Sequence, residues 1–325
     1  MIIVTGEALI DLILLDGHVA AQPGGGPFNT ARTIGRLGLA PAFLGRLSQD
    51  GFGHILRARL EQDGVAMGLP QLTDAPTTLA AVDVDPGGVP RYHFYLDGTS
   101  AAAVGPADAV LPADTKALQV GALGLVMEPV GTSTEGMAIS APDDVTVMLD
   151  PNSRPRAIAS RQDHLDRLNR ILHRADVVKT STEDLAYLYP GKDPGDAATR
   201  LLDRGPACVV VTDGAAPVRA FAGGKQIRAD VPAAPVVDTV GAGDAFAGAF
   251  LTWWIGNGLG RSDLGDPEAV RGATQAAILA SVVTSTRRGA EPPWAYELAG
   301  HDGWRWLPPA DPPGQVSEAA RPQPG

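Results

Sequence analysis

The sequence predicts an α/β fold: a mostly parallel β-sheet covered by helices on both faces, in three α/β/α layers, with a small separate β-sheet beside it. Three observations carry this. Short apolar runs of strand length alternate with segments of helical periodicity along most of the chain. One region, 76–100, breaks the alternation with two β-rich runs around a "DPGG" turn. Hydrophobic residues make up 44% of the 325 positions but aromatics only 5%, so a sizeable core must be built mostly of Ala, Val, Leu and Ile.

The elements follow in order. Ile2–Thr5 reads as the first strand, and Leu9–Leu15 as an extended piece that can pair with the 76–100 hairpin in a lid. In "FNTARTIGRLG", Phe28, Ala31, Ile34 and Leu37 recur at helical spacing and Gly38 stops the helix. Phe43–Leu47 is the next strand, and "FGHILRARLEQDG" a helix ended by Gly64. Further strands are expected at Ala117–Val120, Val145–Leu149, Val177–Lys179 and Cys208–Thr212, with the helix "DRLNRILHRAD" leading into Val177. "DAFAGAFLTWWIG" is apolar on every side and reads as a buried helix. Residues 303–325, rich in Pro, Gly, Ala and Ser, are expected to be a disordered tail after a single domain over 1–302.

Composition excludes several functions. The net charge of −11 repels nucleic acid and anionic membranes. The one cysteine, Cys208, sits in an apolar strand-like run and reads as a buried small hydrophobe. The six histidines form no HxxxH pair, so a zinc site is not expected. "MIIVTGEALIDLILL" lacks a basic start and carries Glu7 and Asp11, which argues against a signal peptide, and no uncharged run approaches membrane-spanning length. A soluble, cytoplasmic protein is expected.

The chemistry points to "VVDTVGAGDAFAGAF". Asp244 falls in the first turn of the buried helix, where unpaired amides and the helix dipole attract negative charge. Gly241-Ala242-Gly243 strips away side-chain shielding, so a phosphate can come close to the backbone. The plainer reading is a helix start with an acidic cap. Against it stand the small-residue run, the second acid Asp238 at the end of the preceding strand-like piece, and the buried helix that fixes Asp244 in the interior. Two familiar phosphate motifs are absent: there is no GxxxxGKS/T, and "GAGDAF" fits GxG but not GxGxxG.

"GEALIDLI", "PGGGPFNTARTIGRLG", "GRLSQDGFGHIL", "DPNSRP", "VVKTSTEDLAYL", "VVVTDG", "DTVGAGDAFAGAF" and "TRRGAE" resemble, in order, the segments of the ribokinase-like (PfkB) carbohydrate kinases, across most of 1–295. Fructokinase-like members are the nearer resemblance. It implies a ribokinase-like fold and an ATP-dependent kinase that transfers the γ-phosphoryl group to a hydroxyl of a small sugar. Asp244 matches the catalytic base, and the amides of Gly241, Ala242 and Gly243 the anion hole. The helix end is expected to hold the Asp244 pKa low. Asp11, Gly24, Gly25, Asn29 and Arg154 match sugar-binding positions. Lys179, Ser181, Thr212 and Gly214, with Gly241 and Gly243, match nucleotide-binding ones.

The metal positions depart from the family pattern. Its NxxE segment reads Ser181-Thr182-Glu183-Asp184 here, so Mg²⁺ is expected through water on Asp184 or Glu183. Pro217 replaces the second glycine after TxG. A monovalent cation, K⁺, is expected near Asp238, Val240, Thr284, Arg287 and Gly289, although Pro293 stands where a relative offers a hydroxyl. The resemblance also implies a homodimer formed through the lid.

Fructose is the expected sugar. The alternatives are ribose, a sugar acid such as 2-keto-3-deoxygluconate held by Arg154 or Arg91, and, behind these, a nucleoside. A catalytically inactive sugar- or nucleotide-binding protein would need a broken base or anion hole, and an oxidoreductase would need the absent GxGxxG.

Overall fold

The computed structural model describes residues 1–15, 17–67, 69, 71–84, 90–301 and 304. The strands are β1 (Ile2–Thr5), β2 (Leu9–Leu15), β3 (His18–Gly24), β4 (Pro41–Leu44), β5 (Arg46–Ser48), β6 (Gln71–Thr73), β7 (Leu79–Val84), β8 (Pro90–Tyr95), β9 (Ala117–Gly121), β10 (Thr146–Asp150), β11 (Val177–Ser181), β12 (Cys208–Thr212), β13 (Val218–Ala222) and β14 (Lys225–Ala229). The helices are α1 (Gly26–Arg36), α2 (Gly51–Gln62), α3 (Val130–Ser140), α4 (Arg161–Leu172), α5 (Thr182–Leu188), α6 (Pro194–Leu202), α7 (Ala242–Gly256), α8 (Pro267–Ser285) and α9 (Ala295–Leu298).

The main sheet has eight strands in the order β14-β13-β12-β11-β10-β9-β1-β4, parallel from β12 to β4. β13 and β14 add an antiparallel hairpin at one edge. Strand alternation sends side chains to two cores. Ile2 and Val4 pack on the side of α1, α7 and α8, whereas Ile3 packs on the side of α3, α4 and α6. Cys208 and Val210 divide from Val209 and Val211 in the same way, so Cys208 is the buried hydrophobe its context suggests. Strands buried on both faces read as continuous apolar runs, which is why they are recognisable in the sequence.

The second sheet has the order β3-β2-β7-β8. Leu9–Leu15 does pair with the 76–100 region, running parallel to β7, and β7 pairs antiparallel with β8. The "DPGG" turn lies outside the described residues. β3, not foreseen as a strand, completes this lid through an antiparallel pairing in which Asp11 faces Gln22.

The expected tail boundary at 303 is overrun at one point. Trp304 is 2% exposed, and its indole N–H donates to the Ala276 carbonyl at 3.3 Å, so the packed chain reaches at least residue 304. Residues 305–325 lie outside the described residues. No helix among the described residues is long and apolar enough to cross a membrane.

Candidate active site

The site lies outside the carboxyl ends of the parallel strands, where the lid sheet faces them. Open α/β sheets bind ligands at this edge. β1 leads into Glu7, β10 ends at Asp150, and β11 and β12 end side by side with Ser181 in register with Thr212.

Asp244 sits in the first turn of α7 and is buried. Asn29, from α1, donates its side-chain amide to Asp244 Oδ2 at 2.9 Å, and Asn152 donates to Oδ1 at 3.5 Å. The expectation of a low Asp244 pKa is corrected here. Burial pushes the carboxyl above its ordinary value, against the Asn29 hydrogen bond and the positive charges of Lys179 and Arg154. A helix end alone favours the charged form, but the walls around Asp244 remove water from it. A raised pKa makes the carboxylate a better proton acceptor than a helix-end aspartate on a wet surface.

Gly241 caps α7 in the left-handed conformation, φ 76°, and a β-carbon there would stand 2.4 Å from the Ala290 β-carbon. This turn leaves the amides of Gly241, Gly243 and Asp244 without a partner among the described residues. The Ala242 amide, expected in the same cradle, instead donates to the Thr239 carbonyl at 3.2 Å. The donors free to meet an anion are therefore those on either side of Ala242.

Lys179 aims its ammonium at this turn. Its Nζ lies 3.0 Å from where a β-carbon on Gly243 would stand, and it pairs with Asp150 Oδ2 at 2.9 Å. Burial pulls the Lys179 pKa down, but Asp150, Asp244 and Asp184 more than offset it, so the group stays charged. Thr212 and Gly214 lie at and just beyond the end of β12. The Thr212 hydroxyl donates to the Thr180 carbonyl at 3.2 Å, and Gly214 is exposed at φ 53°.

On the lid side, Asp11 projects from the middle of β2 against Gly24, where a β-carbon would come within 2.2 Å of Asp11 Oδ2. No donor among the described residues reaches the Asp11 carboxylate. Burial pushes its pKa up to about 6, with Arg154 pulling it down and Asp244 pushing it up. Gly25 caps α1. Arg154 is exposed at the mouth, donating to the carbonyls of Asn152 and Ser153 at 3.1 and 3.3 Å. Tyr92 and Phe94 stack on one lid face, centroids 5.9 Å apart, whereas Tyr95 is mostly exposed.

The metal positions divide. Asp184 closes a capping box with Ser181: its Oδ2 accepts from the Ser181 amide at 3.2 Å and hydroxyl at 2.9 Å, and its Oδ1 from the Ser153 amide at 2.7 Å. Glu183 is exposed beside it. Asp150, not singled out from the sequence, is the better-placed acid. Its Oδ1 is buried with no partner among the described residues, and its pKa is pushed up to about 6 by burial, opposed by Lys179 and reinforced by Asp184 and Asp244. A hard divalent cation with water ligands fits such an oxygen-only set. Among the described residues no group of three or more His, Cys, Asp or Glu forms a closed metal cage. For the monovalent cation, Asp238 is already engaged, accepting from the Val240 amide at 3.0 Å and the Gly289 amide at 2.9 Å. Thr284 turns its hydroxyl back to Ala280, and Arg287 points to the Glu291 and Pro292 carbonyls.

Glu7 and Asn152 were also missed as site residues. Glu7 is buried and accepts from the Gly26 amide at 3.0 Å and the Gly124 amide at 2.9 Å, tying the start of α1 to the loop after β9. Both lie inside quoted segments, "GEALIDLI" and "DPNSRP", so a signal for them existed.

Residues 1–293 match the family model described as pfkB family carbohydrate kinase. A fructokinase of Rhizobium leguminosarum bv. trifolii is 34% identical over 257 residues, 77% of this chain and 78% of that protein. The crystal structure of a Xylella fastidiosa fructokinase with bound ATP superposes with a TM-score of 0.81 at 27% identity, covering 89% of this chain and 93% of that one. A Vibrio cholerae O395 fructokinase, bound to fructose, ADP and calcium, superposes with a TM-score of 0.79 at 27% identity over 89% and 94% of the two chains.

Proposed function

This chain belongs to the pfkB family of carbohydrate kinases, and from that premise we propose that it phosphorylates fructose, with Asp244 as the base and the Gly241–Asp244 turn as the anion hole. It is an ATP-dependent sugar kinase, a phosphotransferase with an alcohol acceptor. The observation that carries the site assignment is the single cluster of Asn29, Asp244, Lys179 and the unpartnered amides of Gly243 and Asp244.

In this reading Asp11 and Asn29 hold sugar hydroxyls, Asp11 as acceptor and Asn29 as donor or acceptor. The acceptor hydroxyl gives its proton to Asp244 as its oxygen bonds to the γ-phosphorus and the bond to the ADP oxygen breaks. Lys179 and the turn amides offset the charge on the transferring group, the main requirement of such reactions. Ser181, Thr212 and Gly214 line the nucleotide side. Mg²⁺, held through water by Asp150 and Asp184, would supply charge neutralisation on the phosphates. The monovalent-cation positions and a homodimer through the lid, whose Val19 and Leu14 are exposed, complete the proposal.

Fructose is favoured because the relatives above are fructokinases and because Asp11 has an open carboxylate suited to an uncharged polyol. A sugar acid is the second reading, motivated by Arg154, whose guanidinium hydrogen-bonds to the Asn152 and Ser153 carbonyls at the site mouth. The test is kcat/KM with fructose, ribose, 2-keto-3-deoxygluconate, adenosine and fructose 6-phosphate at fixed Mg-ATP. Preference for the keto acid, lost in Arg154→Ala, would replace fructose, and preference for adenosine would turn attention to the Tyr92–Phe94 face.

A further inference from the structure

α1 lines up three polar side chains on one face, at successive turns. At its first turn Asn29 meets Asp244. One turn on, Arg32 is 1% exposed. Its Nε donates to Asp63 Oδ2 at 2.5 Å, Nη1 to the Ala290 carbonyl at 2.7 Å and Nη2 to Glu291 at 3.2 Å. A further turn on, Arg36 is 4% exposed and repeats the pattern: Nε to Asp63 Oδ1 at 2.8 Å, Nη1 to the Pro292 carbonyl at 2.7 Å and Nη2 to Glu291 at 2.8 Å. Asp63, itself 1% exposed, bridges the two guanidinium groups. Arg32, Arg36 and Asp63 are buried, while Glu291 is partly exposed and also meets Arg59 at 3.6 Å; burying the inner three charges costs desolvation that apolar side chains would avoid. What the arrangement adds is geometry, since a guanidinium fork fixes several acceptors at once.

The acceptors it fixes are backbone oxygens of 290–292. That segment floors the anion-binding turn. Ala290 lies against Gly241, whose missing β-carbon would otherwise overlap it, and Gly289 donates to Asp238, which also holds the Val240 amide. We propose that Arg32 and Arg36 are positioning residues. With Asp63 they clamp the 290–292 backbone beneath Gly241 and so hold the turn amides in register with Asp244, on the same helix that carries Asn29. The clamp then matters most when charge develops on the transferring phosphoryl group. This rests on the sugar-kinase reading above.

The test compares the wild type with Arg32→Lys, which keeps the charge but not the fork, and with Ala290→Gly, which removes only the floor contact. The readouts are kcat, the dissociation constants of ADP and of the best sugar, and the affinity for ADP with aluminium fluoride plus that sugar, a mimic of the transferring phosphoryl group. We expect kcat to fall about 10- to 100-fold in Arg32→Lys, as a small misplacement of catalytic groups does. The fluoride complex should weaken by a similar factor, with ADP and sugar binding nearly unchanged. A purely structural role would lower thermal stability without this split. If Arg32→Lys does not fold, Arg36→Lys, which breaks the matching fork on the Pro292 carbonyl, carries the same expectation. A folded variant with wild-type kcat, or one losing ground-state binding as much as turnover, overturns the clamp. A wild type that releases no sugar-dependent ADP overturns the kinase reading instead, and the clamp with it.

Discussion

The Asn29 side-chain amide donates to the Asp244 carboxylate at 2.9 Å, joining residues 215 apart in the chain. A residue proposed to hold the sugar is thus bonded to the residue proposed to take the sugar's proton. The hydrogen bond orients Asp244 and partly offsets its burial, while leaving the carboxylate above its ordinary pKa.

Asp244→Asn keeps the side-chain shape and removes the proton acceptor. Turnover should fall by about 10²–10⁴-fold, the range for loss of a general base. ADP affinity by calorimetry and the circular dichroism spectrum should stay close to wild type. Near-normal kcat with unchanged sugar affinity would remove Asp244 from the role of base.

Gly243→Val places a branched side chain where the Lys179 ammonium now approaches, 3.0 Å from the new β-carbon. It should also keep the phosphoryl group away from the turn amides. The expected loss in kcat is about 10²–10³-fold, comparable to removing one oxyanion donor, with a smaller change in ATP affinity. Equal kcat/KM for the folded variant and the wild type would mean that no anion sits at this turn.

Asp11 should make sugar binding pH-dependent. Its carboxyl is pushed up to about 6 by burial. Above that pH it accepts hydroxyl hydrogen bonds through both oxygens, and below it one oxygen carries a proton. Sugar affinity, measured by calorimetry without nucleotide, should weaken as pH falls through about 6. Asp11→Asn should bind more weakly at neutral pH and lose that inflection. An inflection that survives in Asp11→Asn belongs to another group, Asp244 first.

Glu7 should leave a mark on stability. Its carboxyl is raised from 4.5 to about 7 by burial, against the hydrogen bonds from Gly26 and Gly124. The folded protein therefore binds this proton more tightly than the unfolded chain. The stability it contributes is full below about pH 4.5 and is lost as pH rises through about 7. Glu7→Gln should flatten the decline of Tm across that window. Identical slopes for variant and wild type would show that Glu7 titrates normally.

Much of the fold was legible because its signals are local. Ile2–Thr5 and Cys208–Thr212 have their expected bounds, and Gly64 follows the end of α2 at φ 78°. The β13–β14 hairpin was overlooked although Gly223-Gly224, with φ 56° and 71°, is a strong turn signal between two β-rich runs. β3 was harder to see. "HVAAQPG" is largely exposed and owes its strand form to pairing with β2, a partner no local pattern reveals.

Sequence alone determined the parallel α/β architecture, the buried helix behind "GAGDAF" and the gathering of Asp11, Asn29, Asp244 and the glycine turn into family segments. Hydrophobic period, glycine stops and motif order are written in neighbouring residues. Tertiary structure decided the electrostatics and the support. The sense of the Asp244 pKa was misjudged from its helix end, because the burial that raises it comes from walls built by distant elements. Asp150 emerged as the acid with an open oxygen only once β10 and β11 stood side by side and paired it with Lys179. The Arg32–Asp63–Arg36 clamp likewise brings α1, the residue following α2 and the segment after α8 to one place, a convergence set by packing between segments far apart in the chain.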